Sequence, residues 1–98
     1  MSSIVVWAPP MFWGPWMKLG GHTATLTYNV SFDTVSNAPS ACVLRVKWAK
    51  LGPKITEILG PPGSATITCY GTGTDMVQAK SFSLGQMLRV DSGLPMQL

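Results

Sequence analysis

The chain is 98 residues long, which suits one domain with a single core and leaves no room for a second. Charged residues make up 11% of the sequence, against about 25% in soluble chains, so an isolated globule would expose apolar patches of the kind that mark contact with a partner. The net charge is +3, but the basic residues do not form the dense stripe that is typical of a nucleic-acid binder. Nucleic acid is therefore not an expected partner. A homo-oligomer or a larger protein lattice fits this composition best, and the alternative is a monomer coated with Ser, Thr, Gly and Asn.

The N-terminal segment is the most apolar part of the chain. Residues 4–17 contain three tryptophans, one phenylalanine, two methionines and three prolines, and no charged residue. Each proline lacks an amide proton and disfavours helical geometry in the residue before it, so the segment is not a helix. It is also too short and irregular to span a bilayer, which takes about 20 apolar residues. We predict an extended Trp/Pro-rich arm over residues 1–20, attached to a β-sandwich domain of residues 21–98.

Alternating apolar and polar side chains predict strands almost throughout. Short strands are expected at residues 4–8, 23–32, 40–49, 55–59, 65–70, 76–82 and 87–90, each bounded by turn residues such as Gly, Pro and Asn. The apolar positions of these strands give a predicted core of Leu26, Tyr28, Val30, Phe32, Cys42, Leu44, Val46, Trp48, Ile67, Cys69 and Val77. The expected fold class is all-β, a small antiparallel β-sandwich of about seven strands, jelly-roll or immunoglobulin-like.

Two cysteines stand in different predicted strands. The sequence shows no secretory signal, so we expect cytoplasmic synthesis, a virion-associated or non-classically released protein, and reduced thiols. If Cys42 and Cys69 face each other across the two sheets they are a candidate disulfide, worth about 3 kcal/mol under oxidising conditions. Their surroundings differ from those in immunoglobulin domains, because Trp48 follows Cys42 after only six residues and Tyr70 comes after Cys69.

The sequence offers little catalytic equipment. His22 is the only histidine, and the four acidic residues stand singly, so no pattern predicts a general base with a nucleophile and an orienting carboxylate. Two thiols and one imidazole do not complete a four-ligand zinc site. We therefore expect no enzymatic activity, no metal and no cofactor.

The tryptophan-rich segment is the candidate functional feature. Its candidate assembly residues are Trp7, Met11, Phe12, Trp13, Trp16 and Met17, and a candidate secondary surface is formed by Lys18, Arg45 and Lys47. We expect a structural subunit of the virion, capsid, decoration or tail type, whose arm docks on neighbouring copies, because aromatic side chains and methionine favour buried contact centres. Two alternatives remain: the aromatic cluster binds glycans or membrane lipid in a lectin-like manner, or the segment folds back onto its own sandwich.

Overall fold

The computed structural model describes residues 2–35, 40–48 and 54–94. In these ranges the chain forms eight strands and no helix. The described residues therefore contain no helix that could cross a membrane. The strands are β1 (Ser2–Ala8), β2 (Met17–His22), β3 (Leu26–Thr34), β4 (Cys42–Trp48), β5 (Lys54–Gly60), β6 (Gly63–Cys69), β7 (Gly73–Ser81) and β8 (Gln86–Ser92). The all-β fold class is confirmed.

The strands form two four-stranded antiparallel sheets. Sheet A has the order β1-β8-β3-β6 and sheet B the order β2-β7-β4-β5. Strands from the two halves of the chain therefore pair with each other: β1 with β8, β2 with β7, β3 with β6 and β4 with β5. Of the seven connections only β4–β5 joins neighbours in one sheet, and every other connection passes from one sheet to the other.

A continuous apolar core lies between the sheets. In β3 the side chains of Tyr28, Val30 and Phe32 are buried while those of Thr27 and Asn29 are exposed, as the period of two predicts. Nine of the eleven predicted core residues are buried; Leu26 is partly buried, and the side chain of Trp48 lies outside the described residues. The buried cluster also takes in Val6, Ala8, Leu19, Ile58, Ala79, Leu88, Val90 and Leu94.

One strand is missing from the sequence-based expectation. We do not predict β2 because Gly20 and Gly21 resemble a turn and weaken a strand. In the structure both glycines are buried and pair with Asp75 and Thr74 of β7, after a register shift between Lys18 and Gly20 that marks a bulge.

The first twenty residues belong to both sheets. β1 forms the edge of sheet A against β8, and β2 forms the edge of sheet B against β7. Among the described residues of the predicted arm, 2–20, only 9–16 lie outside the named strands. The structure therefore shows no division of the chain at residue 20, and the aromatic segment is the connection between the two edge strands.

The connections alternate between the two ends of the sandwich. Ala8 pairs with Gln86, and Cys42 pairs with both Ser81 and Gly60, so the connections β1–β2, β3–β4, β5–β6 and β7–β8 lie at the same end. We call this the loop end; its described residues are 9–16, 35, 40–41, 61–62 and 82–85. The connections β2–β3 and β6–β7 lie at the opposite end, which we call the far end.

Gly63, the first residue of β6, is required at a close approach of the backbone to the core. A Cβ atom at this position would lie 2.7 Å from the Phe32 ring and nearer still to the carbonyl oxygen of Leu59. We predict that Gly63→Ala lowers the free energy of unfolding by about 2 kcal/mol, because overpacking forces the backbone to shift.

Urea denaturation measures this loss, with Gly93→Ala as the matched control. The nearest atoms to a Cβ atom at Gly93 are 3.7 Å away, which is ordinary contact. The control should change stability by less than about 0.5 kcal/mol. Equal stability of the two variants would contradict the close approach at Gly63.

Candidate functional site

The loop end is apolar and carries no charge. The described segments that form it, residues 9–16, 35, 40–41, 61–62 and 82–85, contain no Asp, Glu, Lys, Arg or His. Most of the exposed large apolar side chains lie in these segments or within two residues of them: Trp7, Met11, Phe12, Met17, Val35, Leu59, Phe82, Leu84 and Met87. An exposed apolar region of this kind is typical of an interaction surface.

Residues 9–14 are held against the end of β7 by the backbone. The amide of Ser81 donates to the carbonyl of Pro9 at 2.9 Å, and the amide of Met11 donates back to the carbonyl of Ser81 at 2.7 Å. Further along, the amide of Gly14 donates to the carbonyl of Ala79 at 2.9 Å. Met11 has φ of 65°, the left-handed region that residues other than glycine rarely adopt. The aromatic segment is thus fixed to its own sandwich in a specific conformation.

Buried polar contacts also fix the neighbouring β7–β8 connection. The hydroxyls of Ser40 and Ser81 both donate to the carbonyl of Leu84. The side-chain amide of Gln86 in turn donates to the carbonyl of Ser40 at 2.8 Å and contacts the Cys42 sulfur at 2.9 Å. The exposed apolar side chains of the β7–β8 connection are therefore carried by a backbone that hydrogen bonds hold in place.

The six candidate assembly residues fall into two groups in the structure. Phe12 is 74% exposed and Met11 is 64% exposed, both in the β1–β2 connection, and Met17 is exposed at the start of β2. Trp7 is 42% exposed on the outer face of sheet A, where its ring lies against Gly85. Trp13 and Trp16, the second group, are only half-exposed.

Trp13 and Trp16 lie on cationic side chains of sheet B. The Trp13 ring centroid is 3.8 Å from Cζ of Arg45 and 4.8 Å from Nζ of Lys80, and the Trp16 centroid is 4.7 Å from Nζ of Lys47. Cation–π contacts at such distances contribute about 0.5–1 kcal/mol at exposed sites. These two indoles pack on their own sandwich, as in the alternative in which the segment folds back onto the domain.

The predicted secondary surface is therefore partly occupied. Arg45 is engaged by the Trp13 ring and by an ion pair to Glu57, with Nη2 and Oε2 2.9 Å apart, and Lys47 lies at the Trp16 ring. Lys18 on β2 is exposed.

The two cysteines lie at opposite ends of the sandwich. Cys42 begins β4 near the loop end, whereas Cys69 ends β6 at the far end and donates to the carbonyl of Leu26 at 3.3 Å. Both are buried free thiols. The candidate disulfide is not formed, because the strand register separates the two residues along the length of the sheets.

A buried polar cluster occupies the far end. His22 and Asp75 come from sheet B, while Tyr28 and Cys69 come from sheet A. Nε2 of His22 lies 3.1 Å from Oδ1 of Asp75, and the Tyr28 hydroxyl donates to Oδ2 of the same carboxylate. Nδ1 of His22 lies 2.5 Å from the carbonyl oxygen of Gly71. The carboxylate is thus bonded by one side chain from each sheet.

Proton positions in the cluster follow from its partners. A carbonyl oxygen only accepts, so Nδ1 of His22 carries a proton and donates to Gly71. Nε2 of His22 faces Oδ1 of Asp75 at hydrogen-bond distance, 3.1 Å. Burial and then the nearby Asp75 raise the pKa of Tyr28 far above its ordinary value, and the same two causes raise the pKa of the Cys69 thiol. Both groups keep their protons at neutral pH.

The sequence does not indicate this cluster. His22 has no acidic residue near it in the chain, and Asp75 stands 53 positions later, where the glycines around it predict a turn. The only available signal is that a histidine follows the glycine pair at the start of a strong strand pattern. Pairing of the unpredicted β2 with β7 is what brings the two side chains together.

No protein-family model, curated protein or solved structure matches this chain. Its function therefore has to be argued from its own residues and geometry.

The contact between Trp13 and Arg45 predicts a measurable coupling. In a double-mutant cycle of Trp13→Leu and Arg45→Met, we expect a coupling energy of about 0.5–1 kcal/mol in urea unfolding. The control cycle pairs Arg45→Met with Trp7→Leu, whose ring lies on sheet A, and should give a coupling near zero. Equal couplings in the two cycles would contradict a specific contact between Arg45 and Trp13.

Proposed function

We propose that this protein is a non-catalytic structural subunit that self-associates through its loop end, as subunits of capsid, decoration or tail assemblies do. The observation that carries the proposal is the concentration of exposed apolar side chains at an end whose segments contain no ionisable residue. Such a surface is costly to hydrate and gains free energy when it is buried against a similar surface.

The topology supports the same proposal. Pairing of β1 with β8, β2 with β7, β3 with β6 and β4 with β5 is the pattern of a long hairpin rolled into two sheets, and we propose that the sandwich is a jelly roll. Jelly rolls occur in viral capsids and in lectins. The fold is therefore compatible with an assembly role and equally with a ligand-binding role.

The anchoring of the loop end favours docking. Residues 9–14 are bonded to β7, and the β7–β8 connection is held by Ser40, Ser81 and Gln86. Side chains such as Phe12 and Leu84 are therefore presented from an ordered base, so little backbone entropy is lost when a partner binds. In this proposal residues 9–16, and not a free arm of twenty residues, make the contact with the neighbouring copy.

A second candidate function rests on the exposed aromatic rings. Phe12, Phe82 and Trp7 are exposed in the loop-end segments or within two residues of them, and aromatic faces also stack on sugars or insert at membrane interfaces. Two of the tryptophans, Trp13 and Trp16, are already engaged by cations of sheet B, which leaves fewer rings for a ligand. Glycan or lipid binding therefore ranks second.

Light scattering of the purified chain over a range of concentrations tests self-association. We expect a molar mass that is a multiple of 10.5 kDa for the wild type. The double variant Phe12→Ser/Leu84→Ser should raise the dissociation constant about 30-fold, because two central apolar contacts contribute about 1 kcal/mol each.

Ile55→Ser is the matched control for this experiment. Ile55 is also apolar and 51% exposed, but it is the second residue of β5, at the other end of the sheet. Its loss should leave the mass unchanged. A wild type that stays monomeric at every concentration would overturn the proposal, and binding of that monomer to a glycan array or to liposomes, lost in the double variant, would favour the second candidate.

A further inference from the structure

We propose that His22, Cys69 and Asp75 form a site for one divalent transition-metal ion with the ligand preferences of Zn²⁺. One imidazole nitrogen, one thiol sulfur and one carboxylate oxygen lie within 4.8 Å of one another in the buried far end. Nitrogen, sulfur and oxygen donors together select Zn²⁺ or Co²⁺ over Mg²⁺ and Ca²⁺, which prefer oxygen alone. The site is distinct from the loop end and does not depend on the proposed assembly function.

The donor spacing is close to that of a tetrahedral site. Ligands at about 2.0–2.3 Å from a tetrahedral Zn²⁺ lie about 3.3–3.8 Å from one another. His22 and Asp75 are already 3.1 Å apart. The widest pair of donors needs to close by about 1 Å, which rotation of a side chain such as Cys69 supplies. The fourth position is left for water or for the Tyr28 hydroxyl.

The contacts around these donors are those that orient metal ligands. A metal-binding histidine usually donates its other ring N–H to a carbonyl or carboxylate, and Nδ1 of His22 donates to the carbonyl of Gly71. Metal-binding carboxylates are in turn held by hydrogen bonds, and Tyr28 donates to the second oxygen of Asp75. Nε2 of His22 and Oδ1 of Asp75 therefore face each other, and a bound ion would replace the hydrogen bond between them.

The donor set can balance the charge of a divalent ion. A carboxylate and a thiolate supply two negative charges beside a neutral imidazole, so an occupied site of this kind is neutral, which a buried position requires.

An ion can reach the cluster from the far end. His22 is 6% exposed and is the last residue of β2, paired with Gly73 beside the exposed turn at Gly71 and Thr72. Bound there, the ion links sheet B through His22 and Asp75 to sheet A through Cys69. Because it binds the folded chain and joins its two layers, it should raise the melting temperature.

Titration of the reduced full-length protein with Co²⁺ and Zn²⁺ tests the site. We expect one Co²⁺ per chain, with thiolate-to-cobalt absorption in the near ultraviolet and displacement by Zn²⁺. Tyr28→Phe should weaken the affinity by about 10–100-fold, because it removes the hydrogen bond that orients Asp75.

The two buried cysteines provide a matched pair of variants. Cys69→Ser should lose the cobalt absorption and bind more weakly than Tyr28→Phe, whereas Cys42→Ser at the loop end should bind as the wild type does. A readout that needs no variant comes from His22, the only histidine in the chain. Its Nε2 resonance should shift on addition of Zn²⁺ while Nδ1 keeps its proton.

Three results would overturn the site. They are no uptake of Co²⁺ or Zn²⁺ by the folded wild type in large molar excess, full binding by a folded Cys69→Ser variant, and uptake that leaves the His22 resonances unchanged. None of these results bears on self-association through the loop end, which is measured by mass.

Discussion

The molecule depends on the pairing of each strand in the first half of the chain with its counterpart in the second half. Because β1 pairs with β8, β2 with β7, β3 with β6 and β4 with β5, successive connections alternate between the two ends of the sandwich. Four connections without an ionisable residue thus meet at the loop end, although they are far apart in the sequence. The same pairing brings His22 to Asp75 at the far end. Both candidate sites are consequences of this one topological constraint.

Within the part of the chain that the structure describes, charge is confined to the strands. In residues 2–35, 40–48 and 54–94 every charged residue lies in a strand, and no described connection carries one. On sheet B the cations of Arg45, Lys47 and Lys80 lie against the rings of Trp13 and Trp16. The low overall charge that first indicates association is not spread evenly. The described residues of the loop end carry no charge, whereas the strands do. The loop end is therefore the surface whose burial against a partner is most favourable.

Much of the fold follows from side-chain alternation, and the candidate sites follow from it only in part. The period of two places Tyr28, Val30 and Phe32 in the core because a half-buried sheet imposes that period on its strands. It fails at β2, where two glycines carry no side chain whose burial could be recognised. That single omission also hides the contact between His22 and Asp75, since a contact across two paired strands requires knowledge of both strands. The path of residues 9–16 depends on hydrogen bonds to β7, which no local pattern encodes.

Polar contacts join the two sheets at both ends of the apolar core, but the two sets differ chemically. At the loop end the amide of Gln86 reaches Ser40 and Cys42, and all three groups are neutral. At the far end a buried carboxylate accepts from both sheets, so losing either partner would leave charge or lone pairs unsatisfied at a cost of about 1–3 kcal/mol or more. Cys42 has an amide beside it and Cys69 has an imidazole and a carboxylate. Two equally buried thiols thus differ in what they can bind, and among the described residues it is Cys69 whose sulfur has an imidazole nitrogen and a carboxylate oxygen within 4.8 Å.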